Sequence, residues 1–111
     1  MRAQIKDLID DVLEAHERIS SFVSGYSFAD YVADEKTRLA VERCLEIMSE
    51  ALTRMARIDP GVEVAVRDYR DMRSFRNILV HDYGRVDDRI VWTVLHDHLP
   101  RLVEDVKSLR S

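Results

Sequence analysis

The chain has 111 residues, 46 % apolar and 34 % charged, with three glycines, two prolines and a formal net charge of −4. That length fits one domain with one modest core, and the composition suits a soluble helical protein. The negative balance excludes a globally basic nucleic-acid surface, so any such contact falls to a local patch. The lone Cys44 excludes an intrachain disulfide and a cysteine zinc cluster.

The apolar runs are too short to span a membrane, and the N-terminus turns acidic and amphipathic at once, unlike a signal peptide. A cytoplasmic protein is expected. A first helix is predicted from about Ala3 to Val23, with Ile5, Leu8, Ile9, Val12, Leu13, Ile19, Phe22 and Val23 at helical spacing. His16 falls at its apolar edge and reads as a boundary histidine. Ser24-Gly25-Tyr26 breaks the helix, and Ser27 to Val32 reads as a short helical turn.

Asp34 then caps a second long helix to about Ile58, whose core face is Leu39, Val41, Cys44, Leu45, Met48, Ala51, Leu52 and Met55. Cys44 reads as a small buried apolar residue. Glu50 sits close to that face. It either pairs with an arginine or reaches solvent, or it orients Arg76 or Arg73 from the neighbouring helix.

Asp59-Pro60-Gly61 is the clearest breaker. A third helix is predicted from about Val62 to His81 or Tyr83, with Val66, Tyr69, Met72, Phe75, Ile78 and Leu79 buried. Arg67, Arg70, Arg73 and Arg76 recur every third residue and form a basic strip. They either pair with carboxylates such as Asp68 and Asp71, or hold an RNA backbone or an acidic partner.

Asp87 reads as the N-cap of a last helix carrying Ile90, Val91, Val94, Leu95, Leu99, Leu102, Val103, Val106 and Leu109. Pro100 predicts a kink about one turn earlier. His96 and His98 lie about 200° apart on an α-helix, so they cannot chelate one ion there and read as surface polarity. No metal site and no cofactor is expected. Strand patterning and repeats are absent. The expected fold is all-α: an antiparallel four-helix bundle with a short extra helix, as one domain over residues 1–111.

The chemistry concentrates in Arg76-Asn77-Ile78-Leu79-Val80-His81-Asp82-Tyr83, followed by Gly84. A guanidinium, an amide, an imidazole and a phenol fall within eight residues. Phosphodiester chemistry needs such a set: a fixed cation for the phosphate and a group that moves protons near neutral pH. Asn77 and His81 are i,i+4 neighbours on one face, with Arg73 one step back on the same row. Arg76 and His81 are roughly 140° apart, so they flank a ridge, and a second copy could complete the site. Gly84 suits the left-handed residue after a helix. His81 is then in the last turn, where the helix dipole favours an imidazolium.

The pattern Arg-polar-x3-His-x-Tyr resembles the motif of HEPN-domain ribonucleases, and the added Tyr83 resembles the HepT toxin branch. The likeness extends through Ala40-Val41-Glu42-Arg43, Met48-Ser49-Glu50-Ala51, Arg89-Ile90-Val91-Trp92 and Leu99-Pro100-Arg101-Leu102. Tyr69 stands where many relatives carry Trp, and Ser49 where many carry Gly. Both departures read as packing changes.

The resemblance implies a homodimer with two motifs facing across a cleft, and a metal-independent endoribonuclease with Arg76 and His81 catalytic and Asn77 supporting. Arg70 and Arg73 are candidate contacts for RNA or a partner. The resemblance further implies the toxin of a type VII toxin–antitoxin pair, silenced when a nucleotidyltransferase antitoxin nucleotidylates Tyr83. A packed helix-end aromatic is the plainer reading of Tyr83. The alternative for the whole chain is a non-catalytic module that binds a nucleotidyltransferase or a nucleotide, with Arg76 and His81 as phosphate ligands only.

Overall fold

The computed structural model describes residues 2–81 and 85–110, and every regular element among them is helical. The order is α1 (Arg2–Phe22), α2 (Phe28–Ala33), α3 (Glu35–Ile58), α4 (Val62–Ala65), α5 (Tyr69–His81), α6 (Asp88–Thr93), a π-helical turn (Val94–His98) and α7 (Leu99–Ser108). Four rods result: α1, α3, α4–α5 and α6–α7. α1 packs chiefly on α3, α5 lies on α3, and α7 lies on α1, so the expected helical bundle is present. No helix among the described residues is long and apolar enough to cross a membrane.

Local chemistry fixes most of the boundaries. Gly25 has φ +75°, a left-handed geometry that a Cβ would strain, and it ends α1. Ser27 and Asp30 form a capping box that starts α2. Asp34 accepts from the Thr37 N–H at 3.1 Å, from the Thr37 hydroxyl at 2.7 Å and from the Tyr26 hydroxyl at 2.6 Å, which starts α3. These donors, Tyr26 first, pull the Asp34 carboxyl down to about 2. Asp87 accepts from the Arg89 N–H at 2.8 Å and starts α6, as its sequence position predicts.

The core is formed by Leu8, Ile9, Val12, Ala15 and Ile19 of α1, by Val41, Leu45, Met48, Leu52 and Met55 of α3, and by Met72, Phe75 and Leu79 of α5. Leu99, Leu102 and Val106 close it from α7. Cys44 is buried among them. Tyr69 and Ser49 are both buried, and the Ser49 hydroxyl donates to the Leu45 carbonyl at 2.9 Å.

Four residues assigned to the core stand outside it. Leu39 is 60 % exposed, because it points roughly 160° from the centre of the buried α3 row. Ile78 is 39 % exposed, roughly 115° from the α5 row. Phe22 and Ile90 are also exposed, each on the margin of its helix's buried row. Glu50 is exposed too, and makes no ion pair with Arg73 or Arg76 among the described residues.

The predicted third helix is not continuous. Between α4 and α5 the chain leaves the helix, with Val66 at φ −94° and ψ 102°. Tertiary bonds replace the helical ones. The Arg67 N–H donates to Asp105 at 3.0 Å, and the Arg67 guanidinium binds the same carboxylate at 3.1 and 3.0 Å. Asp68, fully buried, accepts from Arg101 at 2.9 and 2.6 Å and lies 3.1 Å from His98 Nδ1. Such charge-assisted bonds offset a lost helical turn. They also remove Arg67 from the basic strip.

The kink expected before Pro100 takes the form of the π turn. The Leu99 N–H reaches back five residues to the Val94 carbonyl, and Pro100 follows in the first turn of α7, where its missing N–H costs nothing. His98 is therefore no surface residue. It is half-buried against Asp68, whereas His96 is exposed and its Nδ1 lies 2.8 Å from the Trp92 carbonyl oxygen.

Candidate active site at the end of α5

Tyr69, Met72, Phe75 and Leu79 fix the inner row of α5 against the core, and helical geometry sets the direction of everything else. Around the axis, His81 points roughly 175° from that row, Asn77 roughly 145° and Arg73 roughly 105°. Burial agrees: His81, Asn77, Arg73 and Arg70 are all exposed. Arg76 stands only roughly 45° from the row and is half-buried, its stem along the helix flank. The spacing therefore places an imidazole and an amide on the outer face and a guanidinium at its side.

Among the described residues, the side chains of Arg70, Arg73, Arg76, Asn77 and His81 make no intramolecular ion pair. Arg67, by contrast, is held by Asp105. Two apolar side chains interrupt the polar face: Ile78 at 39 % and Val80 at 43 % exposure. Tyr83, with Asp82 and Gly84, lies outside the described residues.

The chain that leaves the site is anchored by a charged cluster. Arg85 binds Asp88 at 2.5 Å, and the Arg38 guanidinium of α3 lies 3.8 Å from the same carboxylate. Arg38 is itself buried and donates to the Val32 carbonyl. Burial, followed by the nearby Asp88, pushes the Glu42 carboxyl up. Burial first, followed by Glu42 and Asp88, pushes the Tyr31 phenol up beside them. The hydroxyl of Tyr31 is buried with no hydrogen-bond partner among the described residues.

Sequence reasoning missed this cluster and the Asp68–Arg101–His98 network. For Asp68 a signal existed: positions 68, 72, 75 and 79 form one helical row, so a carboxylate there announces a buried partner. Donor atoms of Asp68, Asp71 and His98 lie within 4.8 Å of one another, a spacing that a metal ion could bridge. Arg101 already spans both Asp68 oxygens, which puts a fixed positive charge beside that spot.

A family profile described as "Ribonuclease HepT-like" matches residues 12–109. A "Probable ribonuclease HepT" of Thermococcus cleftensis is 33 % identical, with all of both chains covered. A "Putative RNase" of Methanocaldococcus jannaschii is 26 % identical over 96 % of each chain. Another "Putative RNase", of Caldanaerobacter subterraneus, is 29 % identical over 91 % of this chain and 89 % of its own. No solved structure gives a significant match. With its helical bundle and a family profile spanning nearly all of it, this chain belongs to the HepT-like ribonuclease family.

Proposed function

We propose that the chain, as a single domain, is a metal-independent endoribonuclease and the toxin of a type VII toxin–antitoxin pair. The observation that carries this reading is the outer face of α5. His81 and Asn77 point to solvent and Arg76 flanks them, without an ion pair among the described residues. In the reaction, the RNA 2′-OH attacks the adjacent phosphorus and the 5′-oxygen leaves. His81 moves the proton at one of those two oxygens. Arg76 holds the extra charge on the phosphorane, and Asn77 steadies His81 or a phosphate oxygen. Arg70 and Arg73 extend the cation set for the RNA backbone.

A homodimer completes the site. Arg76 and His81 flank a ridge, so one copy offers them on different sides, and a second copy supplies the missing member. Exposed Ile78 and Val80 beside the polar groups suit such a contact. The Asp68–Asp71–His98 donors are at the opposite end of α5, roughly 20 Å along the axis from His81. They are too far away to serve the scissile phosphate.

Tyr83, two residues beyond His81, is the proposed site of nucleotidylation by a nucleotidyltransferase antitoxin. AMP groups there would bring negative phosphates to the place an RNA phosphate must occupy. The acidic balance of the chain favours one competitor, a non-catalytic module that binds the nucleotidyltransferase or a nucleotide. The deciding experiment incubates purified chain and RNA in EDTA. Products ending in 2′,3′-cyclic phosphate, absent with His81→Ala, are expected. Cleavage that vanishes with the chelator overturns the mechanism, and equal growth of cells carrying the parent and His81→Ala chains supports the binding module. Co-expression with a nucleotidyltransferase should raise the mass of the parent but not of Tyr83→Phe.

A further inference from the structure

Beyond the α5 face, a second group of side chains has the chemistry of a nucleotide site. Asp88, Trp92 and His96 succeed one another at i,i+4 spacing along the last rod, so their side chains share one side of it. Asp88 holds Arg85 through Nη2 alone, at 2.5 Å. Unlike Arg67, which grips Asp105 through Nε, Nη2 and its backbone N–H, Arg85 keeps Nε and Nη1 without a partner among the described residues, on a side chain 57 % exposed. Arg89 is exposed one residue further on and is about 60° around the axis from Trp92. Trp92 is one turn above Asp88 and His96 two, and their rings pack tilted, with centroids 4.3 Å apart at 44°. The inner side of Trp92 rests on Phe28, centroids 5.9 Å apart, and on buried Tyr31 at 5.6 Å. The outer ring, His96, is exposed. Its orientation is fixed by the 2.8 Å contact of Nδ1 with the Trp92 carbonyl oxygen.

An exposed ring face with cations about 10 Å back along the same rod offers what a single-stranded nucleotide needs: a platform for its base and a charge for its phosphate. Arg85 follows His81 by four residues, so their Cα atoms are at most about 14 Å apart. We propose that Arg85, Arg89 and the His96–Trp92 pair form an RNA subsite flanking the α5 end. There one base of the strand stacks on the outer face of His96, and the neighbouring phosphate meets Arg85 and Arg89. This rests on the ribonuclease reading and names where the substrate strand runs next to the cut. Asp88 is a positioning residue in this scheme. Braced by Arg38, it holds the Arg85 guanidinium on the rod that carries the rings.

The test measures fluorescence anisotropy of a labelled single-stranded RNA decamer with the full chain carrying His81→Ala, so that nothing is cut. Adding His96→Ala should weaken binding about tenfold, as loss of one stacked base does, and His96→Phe should restore it. Arg85→Ala should flatten the dependence of log K on log salt by about 0.7, the share of one phosphate contact on a single strand, and Arg85→Lys should not. In the cleaving parent, His96→Ala should raise KM and leave kcat nearly unchanged. His96 is exposed, so its variants spare the core. If His96→Ala binds as tightly as its background, or His96→Phe fails to restore binding, the subsite is wrong even where the chain cuts RNA. If RNA binds through His96 but is never cut, the subsite stands and the ribonuclease reading falls. If RNA neither binds nor is cut, both fall.

Discussion

At the start of α5, Asp68 is fully buried and ties Arg101 and His98 to the helix, while next to it Arg67 grips Asp105. At the other end of the same helix, Asn77 and His81 face solvent and Arg76 flanks them, with no ion pair among the described residues. The two ends of one helix thus carry arginine and histidine chemistry with opposite fates. Where opposite charges meet across elements and one is buried, they hold the fold. Where cations and an imidazole have no acid partner among the described residues, the fold leaves them available to a ligand. The contrast separates residues whose removal should change stability from those whose removal should change activity.

The largest expected effect lies at the exposed end. His81→Ala should lower kcat about 100- to 10,000-fold, the usual worth of a general acid or base, while moving the unfolding free energy by less than about 0.5 kcal/mol. Rates on a short RNA and urea unfolding of the same preparation check both halves. Arg76→Ala should cost about 100- to 1,000-fold in kcat, by loss of charge stabilisation. A variant at either position that unfolds instead of losing activity would erase the distinction between the two ends.

Next comes the buried end. Asp68→Ala should cost about 2–4 kcal/mol of stability, because charge-assisted bonds to Arg101 and His98 are lost inside the core. The loss should show as a lower urea midpoint with an unchanged slope. Residual activity per folded molecule should stay near that of the parent.

The same group sets a pH dependence. The Arg101 guanidinium, and after it His98, hold the Asp68 carboxyl below its usual 3.8, against the opposing effect of burial. The Arg67 guanidinium acts likewise on Asp105. A carboxyl depressed in the folded state binds its proton more readily when unfolded. Its stabilisation is therefore complete above about pH 3.8 and fades as pH falls toward the folded value. Urea midpoints between pH 6 and pH 2.5 should drop less steeply for Asp68→Asn than for the parent. The smallest effect is expected for Arg70→Ala, which should leave kcat and stability near parental values and reduce the salt slope of RNA binding by about 0.7.

Much of the scaffold was legible because it rests on local chemistry. Asp34, Asp87 and the Asp59-Pro60-Gly61 turn mark element ends by bonds to residues only two to four positions away. The break at Val66 to Asp68 was not legible. It is enforced by Asp105, Arg101 and His98, at least 30 residues distant in sequence. His98 was misjudged for a related reason: ordinary helical geometry was assumed where the chain adds a residue to the turn. Leu39 and Ile78 show that an apolar residue near a buried row need not belong to it, since the angle decides. At the site, the outward placement of Asn77 and His81 follows from i,i+4 spacing. The proposed facing copy and the proposed base platform at His96 depend on other elements, and no spacing within the motif encodes them.

The π turn has a consequence for how the last rod tolerates change. Adding one residue to a single turn rotates everything after it by about 100° relative to an uninterrupted helix. That screw offset lets Trp92 serve the α2 side while Arg101 reaches across to Asp68. Deleting exposed Asp97 would let the widened turn close to an ordinary α turn, and the chain beyond would keep its angle, with Arg101 still toward its carboxylate and Leu102 and Val106 toward the positions they fill. A one-codon deletion there should be milder than one elsewhere in the rod, where every later side chain would turn by about 100°.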